Sequence, residues 1–227
     1  MSTRSNVTVD DLVRKTRRYE FADGLVDLQM SVILIALGVL SPLVFTRAFV
    51  RLGLRLAEAL GSWAMWLTML IVLLPAVIAI GTRRLVRYVR RRWLWRDSGF
   101  VEPLPSAASG GTLVLATALI VVGIVTGVIL YRSGRAEAML PLRMLVAGAG
   151  WAQGAIMIGV SRKTGMSRYA WLGVVGGLAS TVFLAFHLSF GLTWLAFCLL
   201  WASAFAVSGL LSLRRTLLMI RRANGNG

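Results

Sequence analysis

Between positions 19 and 29 the chain reads Tyr-Glu-Phe-Ala-Asp-Gly-Leu-Val-Asp-Leu-Gln, which gathers Glu20, Asp23, Asp27 and Gln29 into one short polar cluster. In a helix, Glu20, Asp23 and Asp27 stand at i, i+3 and i+7 and share a face. They are three of only nine acidic residues, set against 25 Lys+Arg. Three acids on one face can cap a helix start, pair with arginines, or hold a cation or a partner. The expectation is capping and pairing with arginine, with a cation or partner site as the alternative. A second cluster is basic: Arg83, Arg84, Arg87, Arg90, Arg91 and Arg92 alternate with Val86, Val89 and Trp93 at helical spacing. Such a row suits contact with anionic lipid headgroups. A third set, Gln153, Ser180, Thr181 and His187, lies within apolar stretches, where such side chains bond between helices or line a polar path.

Several chemistries are excluded by residue type. One His and one Cys (Cys198) give no disulfide framework and no zinc or haem site built on several such ligands. HExxH, a Gly-x-Ser-x-Gly elbow and a P-loop are absent. No Asp or Glu falls in the middle of an apolar stretch, which counts against proton-coupled transport. The expectation is therefore no cofactor, no metal and no catalytic residue. Asp23-Gly24 also fails the CDP-alcohol phosphotransferase motif, since Leu25-Val26-Asp27 follows and no later aspartate pair exists.

The elements that must position these residues are hydrophobic. The composition is 57% hydrophobic, with a mean hydropathy of +0.75. Six apolar stretches, at 25–45, 62–82, 112–131, 141–160, 169–189 and 192–213, each approach the ~20 residues that cross a bilayer as helix. The predicted fold is all-α, a polytopic bundle of about six spans. Its parts are a cytoplasmic amphipathic segment at 1–24, a two-span hairpin at 25–82, a basic connection at 83–111, a four-span glycine-rich bundle at 112–213 and a basic tail at 214–227. The first stretch is preceded by two dozen polar residues and lacks a cleavage pattern, so it is expected to stay as an anchor.

An even number of spans puts both termini on one side. That side carries 19 Lys+Arg and the other carries 6. The positive-inside rule then makes both termini cytoplasmic. The same rule accounts for the net charge of +16 without nucleic acid. The Arg, Ala, Leu and Val bias fits a GC-rich bacterial source, so the expected location is a bacterial plasma membrane. Residues 8–20 are predicted as a short surface helix with a Thr8/Asp11 capping box. Residues 46–60, with Arg47, Arg51 and Arg55 four apart, are predicted as another. Pro75 predicts a kink, and 102–111 reads as a linker. Gly123/Gly127, Gly150/Gly154, Gly173/Gly177 and Ala204/Ser208 are small-xxx-small pairs that let helices approach closely.

The Tyr-Glu-Phe-x-Asp-Gly-Leu-x-Asp-Leu run at 19–28 resembles the beginning of the first span in uncharacterised bacterial multi-span proteins. Arg96-Asp97-Ser98-Gly99-Phe100-Val101-Glu102 is similar to an element after their second span, without its proline and arginine. The resemblance implies a topology and no activity. Two function classes follow. One is a non-enzymatic subunit, assembly factor or regulator that contacts anionic lipid, a second copy or a membrane partner. The other is a small permease or channel component, whose polar path would draw on Gln29, Gln153, Ser180, Thr181 and His187. An intramembrane enzyme ranks third.

Overall fold

The computed structural model describes residues 21–44, 46–94, 110–134 and 139–225. Glu20, the surface helix expected over 8–20, the element at 96–102 and most of the linker lie outside them. Among the described residues every element is helical. The order is α1 (Leu25–Val44), α2 (Arg47–Leu60), α3 (Ser62–Val89) with a π-helical turn (Arg90–Leu94), α4 (Gly110–Arg132), α5 (Leu140–Thr164), α6 (Ser167–Thr181) with a 3-10 turn (Val182–Leu184), and α7 (Phe190–Gly225).

Among the described residues four helices are long and apolar enough to cross a membrane: α1, α4, α5 and α7. The short helix α2 is the predicted surface element. Thr46 caps it by accepting a hydrogen bond from the Phe49 N–H at 3.2 Å, and Arg51 and Arg55 are exposed. Helix α3 runs through Pro75 as a single 28-residue element. The stretch expected as one helix over 169–189 ends early. Thr181, Val182 and Phe183 are β-branched or aromatic and propagate a helix poorly. The Ser189 carbonyl already accepts the Thr193 N–H at 2.9 Å, at the start of α7. Helix α6 therefore has 15 residues, about 22 Å, against a hydrocarbon core of ~30 Å. Arg143, one of the 6 Lys+Arg counted on the less basic side, is buried in the first turn of α5.

Neighbours pack through small residues. A Cβ on Gly123 would sit 2.7 Å from the Met144 carbonyl oxygen, and one on Gly127 2.6 Å from Pro141 Cα, so α4 rides directly on the backbone of α5. Gly154 of α5 and Gly173 of α6 face each other, each 2.5 Å from the other's carbonyl oxygen by the same measure. Gly150 abuts Ser180 and Phe197, and Gly177 abuts Trp151. All three glycine pairs thus lie in helix contacts, and Gly38 of α1 closes on Cys198 of α7. The core cluster is Val146, Met157 and Val160 of α5, Tyr169 of α6, and Phe197, Cys198, Trp201 and Phe205 of α7.

Candidate functional site

The polar cluster of the first span is folded into one end of the bundle. Gly24 has φ +73° and a Cβ there would run into the Gly209 carbonyl of α7, so two separate constraints require glycine. The turn it makes sets Asp23 in front of α1. One oxygen of Asp23, Oδ1, accepts the Leu25 N–H at 3.1 Å, which is the capping role expected of it.

Asp23 also faces an arginine. Arg90 Nε donates to Oδ2 at 2.6 Å and Nη2 donates to Oδ1 at 2.9 Å, a two-pronged ion pair. Both residues are buried, Asp23 at 1% and Arg90 at 3% exposure. Burial at this level corrects the expectation for Arg90, which is no headgroup contact. It opens the π-helical turn after α3, and Asp23 takes its charge inward. The other five of the row, Arg83, Arg84, Arg87, Arg91 and Arg92, are exposed.

Asp27 sits in the first turn of α1 and is equally enclosed. The Tyr169 hydroxyl donates to Oδ1 at 2.5 Å and the Ser208 hydroxyl donates to Oδ2 at 2.7 Å. Arg168 Nη2 stands 3.4 Å from Oδ2. The same nitrogen donates to the Tyr169 oxygen at 2.8 Å and to the Phe21 carbonyl. The Arg168 guanidinium lies 4.8 Å from the Tyr169 ring centre, and Phe21 meets that ring edge-on at 5.6 Å.

Two carboxylates and two guanidiniums therefore join the start of α1, the end of α3, the start of α6 and the middle of α7. All four carboxylate oxygens accept bonds from protein groups, and the four charges cancel. Chemically this is a clamp. Of the alternatives that three acids allow, capping and pairing with arginine is what Asp23 and Asp27 do here.

The polar residues expected within the spans do not converge. Gln29 Nε2 donates to the Ala79 carbonyl of α3 at 3.4 Å. Ser180 is buried, donates to the Gly176 carbonyl at 2.7 Å and accepts from Trp201 Nε1 at 3.2 Å. Thr181 donates to the Leu178 carbonyl at 2.6 Å. Gln153 is half-buried on α5, and His187 is exposed in the stretch between the 3-10 turn and α7.

The chain matches no protein-family model, no characterised protein and no solved structure. What it does must be argued from this geometry. Sequence reasoning missed Arg168, Tyr169 and Ser208 as members of the clamp. Arg168 counted only toward topology and Tyr169 only as the beginning of an apolar stretch. Ser208 carried one signal, its place in the Ala204/Ser208 small-xxx-small pair, but nothing tied it to an acid far away in the chain.

Proposed function

We propose that the chain is a six-span integral protein of a bacterial plasma membrane, with both termini cytoplasmic, and that it works by holding lipid or partner helices. The second and fifth of its apolar stretches, α3 and α6, complete the six spans, with α6 crossing together with the 3-10 turn and residues up to Ser189. The observation that carries this reading is the division of labour among the arginines. Arg90 and Arg168 neutralise the two buried acids, while Arg83, Arg84, Arg87, Arg91 and Arg92 stay exposed around the same end. That makes this end of the bundle strongly basic at its surface rim. An anionic leaflet is its natural counterpart, at about 1 kcal/mol per near-surface arginine.

The test has two arms. Reporters active only outside the cytoplasm are fused at Ala136 and at the C-terminus. Activity at Ala136 alone is expected, and activity at the C-terminus alone overturns the topology. In the second arm Arg83, Arg84, Arg87, Arg91 and Arg92 are changed together to Gln and co-purifying lipid is measured. Loss of anionic lipid from a folded protein is expected, and an unchanged lipid content overturns the lipid reading. A purified chain that moves a solute across vesicles would favour the permease.

A further inference from the structure

Helices α6 and α7 touch closely at one level and part at another. They touch where Gly176 rests on the Trp201 ring, a Cβ there being 2.5 Å from Cη2, and where Trp201 bonds to Ser180. Toward the clamp they part around a groove of about 650 Å³. Its walls are apolar: Trp171, Leu172 and Val175 from α6, and Ala204, Val207 and Leu211 from α7. Trp171, Val175, Val207 and Leu211 are exposed, so the groove opens sideways rather than into the bundle.

Its length and its charge say what fits. From Arg168 to Ala179 the α6 wall runs about 16 Å, and from Leu200 to Arg215 the α7 wall runs about 22 Å. A hydrocarbon core is ~30 Å thick, so the groove is one leaflet long. A partner transmembrane helix would need the full thickness. Arg168 and Arg215 stand at the clamp end, and the lining contains no acid. Arg215 is exposed and has no partner among the described residues. Arg168 keeps an Nε hydrogen without an acceptor among the described residues. Among its described residues a second copy of the chain has little to offer these cations. Its described acids are Asp23 and Asp27, both buried, and Glu58 on α2.

We infer that the groove holds one acyl chain of an anionic phospholipid from the cytoplasmic leaflet, with the lipid phosphate against Arg215 and Arg168. The apolar walls take the chain and the two guanidiniums take the headgroup. This rests on the topology proposed above, and it names a site distinct from the exposed row on α3. The lipid also meets the clamp, because Arg168 is shared by both.

The experiment counts lipid retained by the full-length protein in native mass spectrometry, with phosphatidylglycerol or phosphatidylcholine as the probe. One phosphatidylglycerol per chain is expected to survive the five-arginine Gln substitution that empties the rim, with phosphatidylcholine retained much less. The groove variants are read in that background. Arg215→Gln should lower retention about fivefold, the value of one near-surface arginine. Val207→Trp keeps every charge but fills the groove, and should abolish retention. Both variants leave Arg168 and the clamp intact, so a folded protein is expected. Equal retention of the two lipids, no change in either variant, or displacement by inorganic phosphate alone would overturn the site. A dimer that Val207→Trp disperses would also overturn it, in favour of a second copy. Loss of phosphatidylglycerol already in the five-arginine Gln variant sinks this site and leaves the rim reading standing. Retention there, with loss in the groove variants, does the opposite.

Discussion

The glycine seam through α4, α5 and α6 and the charged clamp at the bundle's end solve one problem in two ways. In lipid, apolar surface gains little from meeting apolar surface, so helices need another reason to stay together. The seam supplies closeness: Gly123, Gly148, Gly154 and Gly173 bring backbones to where only a hydrogen fits. The clamp supplies satisfied charge: Asp23 and Asp27 each have both oxygens engaged by donors from other helices or the adjoining backbone. The seam should therefore be sensitive to size and indifferent to charge. The clamp should be the reverse, and failure of that contrast would remove the distinction.

The largest effect is expected at the clamp. Asp23→Ala leaves Arg90 buried without its carboxylate, and removing one partner of a buried pair costs about 3–5 kcal/mol. Chemical unfolding in detergent measures this. The paired change Asp23→Leu with Arg90→Met should recover most of the loss, since well-packed apolar replacements of a buried pair are often neutral. If the single variant is as stable as the wild type, the pair is not the fastener described here.

A smaller effect, with a change of sign built in, is expected at the seam. Gly154→Ala drives a methyl toward the Gly173 carbonyl, and overpacking of this kind costs about 1–3 kcal/mol. Gly81→Ala on α3 meets nothing within 4 Å. There the better helix propensity of alanine should win, by up to about 1 kcal/mol in the stabilising direction. Equal effects at the two positions would mean that the close approach of α5 and α6 is not what holds them.

The two regions also differ in how far they could be read from the chain. Glycines four apart specify one stripe of one helix, so Gly123/Gly127, Gly150/Gly154 and Gly173/Gly177 point to contacts before any partner is known. Asp23 could be read too, because an acid before an apolar run is a cap. Its arginine could not. Arg90 sits among five others of the same type, and it is the π-helical turn, a feature of backbone register, that begins at this residue and not at its neighbours. Tyr169 and Ser208 reach Asp27 across 142 and 181 positions, and no local period encodes such a meeting. The end of α6 at Thr181 was hidden for a different reason: hydropathy stays high through Leu188, so apolar length overstates helix length there.

The smallest effect sharpens the comparison within the arginine row itself. Arg87 and Arg90 are one helical turn apart, identical in type and each preceded by a valine, yet one is exposed and the other buried against Asp23. Arg87→Gln should change stability in detergent by no more than about 0.5 kcal/mol, as exposed substitutions do. Arg90→Gln strands Asp23 and should fall with the clamp variants. In vesicles rich in anionic lipid the order of interest changes. Arg87→Gln should then weaken lipid association by about 1 kcal/mol, and added salt should shrink that difference, because an exposed charge is screened over about 10 Å at 0.1 M. The Arg90 effect should persist in salt, since the pair is shielded by protein. If both variants respond to salt alike, the row is uniform and the boundary between rim and clamp is drawn in the wrong place.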